Sequence, residues 1–103
     1  DRIDRGNRRG LPVILMGDFN SVPDSAPLDK INTVMSDALN ISREEFQGPS
    51  GTFNGFDPDL PIEKRIDYIF TRNVKVLSYI HINDRLNNNR HISDHLPVMI
   101  EIQ

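Results

Sequence analysis

Pro12-Val13-Ile14-Leu15-Met16-Gly17-Asp18-Phe19-Asn20 is the stretch from which the fold is read. Residues 12–16 run apolar without alternation, the pattern of a strand covered on both faces, and Gly17 ends the run. Polar chemistry, in Asp18 and Asn20, therefore begins where the strand stops.

Two more polar islands follow the same plan. Arg65-Ile66-Asp67-Tyr68 opens an alternating run in which Ile66, Tyr68 and Phe70 share one face and Arg65, Asp67 and Ile69 the other. Ser93-Asp94-His95 precedes a second alternation, Leu96, Val98, Ile100 and Ile102, with Glu101 outward. Strands are expected over 12–16, 65–71, 74–82 and 96–102. In the third, Val74, Val76, Ile80 and Ile82 are in phase, which leaves His81 on the Lys75, Leu77, Tyr79 face as a partly exposed surface histidine. Ser25 as N-cap, Pro27 in the first turn, and Leu28, Ile31, Val34, Met35 and Ala38 at helical spacing predict a helix over 26–39. Residues 42–61, punctuated by Gly48-Pro49, Gly51, Gly55, Asp57-Pro58 and Pro61, predict a long irregular surface loop. Long ordered loops tend to be functional, so Gly51-Thr52-Phe53-Asn54-Gly55-Phe56 is a candidate substrate-facing segment, with Thr52, Asn54 and Phe56 as its binding residues. Residues 84–90, with Asn87-Asn88-Asn89, read as a polar turn.

The chain has 103 residues, enough for one domain with a modest core. A formal net charge of -3 argues against a strong nonspecific duplex binder, because such binding rests on Lys and Arg neutralising many phosphates. Arg8 and Arg9 read as a solvated run rather than a phosphate clamp. Without cysteine there is no disulfide framework and no thiolate metal site, so a metal would be held by oxygen or imidazole. No apolar stretch approaches the ~20 residues of a membrane span, and no signal-peptide pattern opens the chain. The charged start without an initiating Met is expected to be the middle of a longer protein.

Carboxylates, an amide and an imidazole delivered at strand ends are what metal-assisted attack on a phosphate ester requires. In extended geometry Asp18 and Asn20 project from one side, so one can accept a proton from water while the other fixes phosphate or metal; the same pair also suits an Asx turn. Asp94 and His95 read as a turn cap and a loop histidine, or as part of the same site. Asp67, inside an apolar strand, needs a partner, with Arg65 and Lys64 nearest in sequence. His91 and His95 are spaced as a zinc pair on a helix would be, but Pro97 and the alternation beyond it argue against a helix. Phe53 and Phe56 either stack on a base or sugar or anchor the loop.

The three islands, in this order and in this strand context, resemble the endonuclease/exonuclease/phosphatase superfamily over residues 11–102, and match only its C-terminal part. The resemblance implies an α+β fold, half of a four-layer αββα DNase I-like sandwich: one mixed or antiparallel sheet with a helix on its outer face, residues 1–103 forming the C-terminal part of the domain. It implies metal-dependent hydrolysis of phosphate esters by the intact protein, as phosphodiesterase, nuclease or phosphatase, and little activity from this chain alone. By the same resemblance Asp18 orients or deprotonates the attacking water, Asn20 contacts the scissile phosphate, and His95 stabilises charge on it. Asp67 would hold His95 in one tautomer, and Asp94 would ligate the cation. Oxygen-rich ligation favours Mg²⁺ or Mn²⁺. The early Asn, the metal-binding Glu and a further His or Tyr of the family are not recognisable upstream of Gly17. The Gly-Thr-Phe-x-Gly-Phe loop resembles bacterial hydrolases of the superfamily and some nuclease and deadenylase relatives. The absence of Trp and the acidic balance point away from an abasic-site nuclease. Expected partners are a phosphate-ester substrate, nucleic acid or small phosphoester, and the missing N-terminal half. The alternative is a non-catalytic half-domain that self-associates as a homodimer through its exposed sheet, with the islands as remnants.

Overall fold

The structure, a computed structural model, describes residues 10–103; Arg8 and Arg9 lie outside the described residues. The element order is β1 (Val13–Asp18), α1 (Ala26–Asn32), β2 (Ser36–Asp37), α2 (Ala38–Ile41), β3 (Asp67–Arg72), β4 (Val76–His81) and β5 (Val98–Ile102). This is an α+β fold with antiparallel sheets and few helices. Where one sheet was expected, two are present: β1-β3-β2, and a β4-β5 ribbon.

β3 is the spine, because its alternation gives each face something to bury. Tyr68 and Phe70 pack with Leu28 and Met35, and α1 adds Ile31 to that side. Ile69, on the opposite face, packs with Ala38, Val76 and Tyr79, with Val98 and Ile100 of β5 against them. The β4-β5 ribbon thus covers the face of β3 that α1 does not.

Four sequence expectations change. The helix over 26–39 ends at Asn32, after which Ser36 and Asp37 pair with Thr71 and Phe70 of β3. Asp37 then caps α2 through Leu39 N–H at 3.1 Å, whereas the Ser25 hydroxyl makes no cap bond. The phase of β4 flips at a bulge between Val76 and Ser78, so Tyr79 and His81 turn inward. His81 is 1% exposed rather than a surface residue, bonded to the Tyr79 hydroxyl at 2.8 Å and the Pro49 carbonyl at 2.7 Å. The 42–61 segment is not a surface loop throughout: Arg43, Glu44 and Gln47 donate their N–H groups to carbonyls of Val76, Leu77 and Tyr79, along the free edge of β4. Finally, β1 is not covered on both faces, since it is an edge strand in which Ile14 and Met16 are 41% and 64% exposed.

Candidate active site

Antiparallel pairing of β1 with β3 sets Asp18 directly opposite Asp67. Like charges at opposed positions repel at Cβ separations of ~4.5–5.5 Å, so this register needs a cation or proton between the two. His95 supplies it. Its Nδ1 lies 2.8 Å from Asp67 Oδ2, and its Nε2 lies 3.8 Å from Asp18 Oδ2. The hydrogen bond to Asp67 is the main reason the imidazole is held above its usual pKa; desolvation opposes the shift, while the charges of Asp67, Asp18 and Asp94 add to it.

Backbone pairing brings His95 there. The 52–54 segment bridges two neighbours: Thr52 and Phe53 N–H donate to Lys64 O, while Leu96 N–H donates to Thr52 O at 2.7 Å and Asn54 N–H to Asp94 O at 2.8 Å. Phe53 sets its ring edge against His95, centroids 5.3 Å apart, with Lys64 Nζ 5.6 Å from the Phe53 centroid. Phe53 is therefore an anchor of the site.

Thr52 and Asn54, expected to face a substrate, spend their side-chain polar atoms on backbone groups. Thr52 is fully buried, and its hydroxyl accepts the Ile66 N–H at 3.0 Å and the Asp67 N–H at 3.1 Å, which aims Asp67. Asn54 donates through Nδ2 to Ser93 O at 2.8 Å and accepts Phe56 N–H at 2.6 Å, so its amide is used in holding the 93–95 turn. Phe56 stands exposed at φ 63°, in the left-handed region.

Asn20 is not extended but lies at φ 49°, and its N–H donates to Asp18 Oδ1 at 2.8 Å. The Asx turn and the site therefore use the same residues: the turn fixes one carboxylate oxygen and leaves the other toward His95. Arg65 is not the partner of Asp67. It makes a bidentate pair with Asp37, both bonds 2.6 Å, donates to the Tyr79 hydroxyl at 3.1 Å, and stacks over Tyr68. Burial, the largest single influence, would lower the Arg65 pKa, but the hydrogen bonds and charges of Asp37 and Tyr79 together outweigh it and the guanidinium is held above its ordinary value. Neither this buried pair nor the Thr52 staple was legible in the sequence, although the β-branched and aromatic Thr52-Phe53 pair was a weak strand signal.

Asp18, Asp67 and His95 offer ligand atoms within 4.8 Å of one another, the one such acidic or imidazole group among the described residues. Two carboxylates suit a hard cation. The His95 Nδ1–Asp67 Oδ2 and Asn20 N–Asp18 Oδ1 bonds use one atom of each residue, which leaves the second oxygen of each carboxylate and His95 Nε2 as the atoms that could hold a cation. Asp94 stands outside the group.

The sequence matches the endonuclease/exonuclease/phosphatase family over residues 1–95. Among solved structures, a functionally unknown conserved protein from Enterococcus faecalis V583 is 27% identical, covered over 98% of this chain and 41% of its own, with a TM-score of 0.85. An endonuclease/exonuclease/phosphatase family protein from Bacteroides thetaiotaomicron is 32% identical over 98% of this chain and 41% of its own, at a TM-score of 0.82. A mannosyl-6-phosphatase from Bacteroides thetaiotaomicron VPI-5482 is 31% identical over 99% and 42%, also at 0.82. No curated protein matches the chain. The chain thus spans about two-fifths of the length of its solved relatives, and it belongs to the endonuclease/exonuclease/phosphatase family.

Proposed function

We propose that this half-site serves divalent-metal-dependent hydrolysis of phosphate esters in the intact protein. The observation that carries the reading is one imidazole between two carboxylates on opposed strand positions. Asp67 accepts the Nδ1 proton of His95 and fixes the ring, so a protonated His95 presents Nε2–H on the Asp18 side. There it donates to a phosphoryl oxygen as negative charge builds on it. Asp18 orients an attacking water or takes its proton, with its carboxylate steadied by the Asn20 N–H. The Asn20 side chain, exposed beside it, donates to the scissile phosphate. Mg²⁺ or Mn²⁺, held by Asp18 and the second oxygen of Asp67, would withdraw charge from the phosphate and acidify water.

A small phosphoester suits the site better than nucleic acid: the chain is acidic overall, and a relative bears the name mannosyl-6-phosphatase. Mn²⁺ titration followed by NMR tests the metal and its ligands. Broadening should centre on Asp18 and its neighbours, be weakened by Asp18→Asn, and spare Asp29 and Asp59. Uniform broadening of all exposed carboxylates would overturn the assignment. The 103-residue chain is expected to hydrolyse bis-p-nitrophenyl phosphate or hexose 6-phosphates poorly, because loss of one preorganised contact alone costs ~10²–10³ in rate.

A second reading, a self-associating half-domain, is favoured by one observation: Ile14, Met16, Met99 and Ile102 of the two edge strands are all more than two-fifths exposed.

A further inference from the structure

We infer that residues 43–51 are an acid-released strap, latched on β4 by His81, whose opening unties the 51–54 segment and through it Asp67 of the active site. The device is independent of the ester that the site cleaves. Few backbone bonds hold the strap to β4: Arg43 and Glu44 N–H donate to the Val76 and Leu77 carbonyls, Gln47 N–H donates to Tyr79 O at 3.3 Å, and His81 N–H donates to Gln47 O at 3.0 Å. Glu44, Glu45, Gln47 and Gly48 are exposed, so this stretch can lift from the surface without opening the core.

One imidazole holds its middle. His81 Nδ1–H donates to Pro49 O at 2.7 Å, Nε2 accepts from the Tyr79 hydroxyl at 2.8 Å, and the Phe46 ring stands 4.9 Å away, edge to face. A neutral imidazole, with one donor and one acceptor, matches these partners. A second ring proton does not. It would sit on Nε2 against the Tyr79 O–H, and among the described residues that hydroxyl has only one other partner, Arg65, which is itself a donor. The hydroxyl proton would then be left without an acceptor. Nor do the charges facing His81 compensate: Arg65 and Asp37 already neutralise each other, burial keeps the Tyr79 phenol neutral, and β5 sets Val98 opposite. A charged His81 would stay buried without a counter-ion, so the ring takes up a proton when it leaves for water.

The ring cannot leave with the strap in place. Phe46 and Pro49 flank it, and Gly48 passes so close that a Cβ there would stand 2.1 Å from His81 O, at φ 103°. Ring and strap therefore move together. The strap runs directly into Gly51 and Thr52, where Gly51 N–H donates to Ile62 O at 2.9 Å and the Thr52 hydroxyl accepts the Ile66 and Asp67 N–H groups. Lifting it draws away the hydroxyl that aims Asp67 at His95. Protonation of His95 itself acts with the opposite sign, because its bond to Asp67 favours the charged ring. Acid thus tightens the Asp67–His95 pair and loosens the segment that supports it.

Amide exchange of the 103-residue chain, followed by NMR from pH 7 to pH 5 and corrected for intrinsic rates, is the test. An opening that takes up one proton at an imidazole of ordinary pKa 6.5 becomes roughly 25-fold more favourable over that interval, and log protection falls with about unit slope below that pKa. The Gln47 and His81 amides are expected to lose protection in this way. The Ile66 and Asp67 amides, bonded to Thr52, should follow with the same slope, while amides of the β1–β3 ladder change less than threefold. His81→Gln, whose amide donates and accepts but takes no proton, should keep the strap closed across the range. Gly48→Ala should hold it off β4 already at pH 7 and flatten the pH dependence. If either variant fails to fold, the slopes of the unmodified chain decide. Protection of Gln47 and His81 that ignores pH, an equal loss in His81→Gln, a Gly48→Ala strap closed at pH 7, or a loss shared by the β1–β3 ladder would overturn the latch. Strap amides that open while Ile66 and Asp67 stay protected would overturn its link to the site.

Discussion

Asp67 shows how a single carboxylate acquires a role from its surroundings. Its N–H is fixed by the buried Thr52 hydroxyl, its carboxylate by His95, and its repulsion with Asp18 is relieved by the same ring. Because His95 is raised above its ordinary 6.5, its contribution to stability is fully present below about that pH and is lost as pH rises through the raised folded value. Asp67→Asn removes the first cause of the shift, so the His95 titration followed by NMR should move down toward the unperturbed range. A titration that does not move would mean that Asp18, not Asp67, holds the proton. For the hydrolysis proposed for the intact protein, Asp18→Asn is expected to lower kcat by ~10²–10⁴, the span of a positioned acid or base, with KM little changed.

At the scale of elements, the 51–54 segment is the staple that joins the two halves of the site. Thr52→Val keeps the shape and removes the acceptor of two buried N–H groups, so stability should fall by ~1–3 kcal/mol in urea unfolding, with weakened protection of the Ile66 and Asp67 amides. Gly51 is required by close approach: a Cβ there would stand 2.5 Å from Glu63 C and from Lys64 N. Gly51→Ala should push the staple off β3 and broaden both the Asp67 and His95 signals. An unperturbed spectrum from either variant would refute the staple.

Across the whole molecule, one buried chain of hydrogen bonds ties β2, the approach to β3, β4 and the 43–51 segment together. Arg65 donates to Tyr79, Tyr79 donates to His81 Nε2, and His81 Nδ1–H donates to Pro49 O, a direction required because a carbonyl can only accept. Asp37→Ala leaves the Arg65 charge buried without its bidentate partner and is expected to cost ~3–5 kcal/mol in unfolding free energy. Burial lowers the His81 pKa, so neutral His81 contributes stability above about 6.5, and that contribution is lost as pH falls from there through the folded value. His81→Gln should flatten the acid side of the stability profile between pH 7 and 5. The exposed edge strands add a last expectation at this scale. Sedimentation equilibrium of the 103-residue chain at micromolar concentration should show a dimer or larger species, and charged replacements at Ile14 and Met16 should return it to monomer.

The sequence by itself determined the positions of β1, β3, β4 and β5 to within a few residues, because period-two alternation and short apolar runs are local signals that need no partner. It also placed Gly17-Asp18-Phe19-Asn20, Asp67 and Ser93-Asp94-His95 at strand ends, and the family's motifs linked Asp67 to His95. Only the tertiary structure decided which carboxylate stands opposite which, since register is a relation between strands. The same holds for the bulge that turned His81 inward, the end of α1 at Asn32, and the diversion of Arg65 to Asp37. The bidentate Arg65–Asp37 pair spans 28 residues, so it leaves no periodic trace in the chain. The backbone partners of Thr52 and Asn54 were illegible for the same reason: in a Gly- and Pro-rich segment nothing local marks a hydroxyl or amide that accepts from or donates to the backbone across the fold.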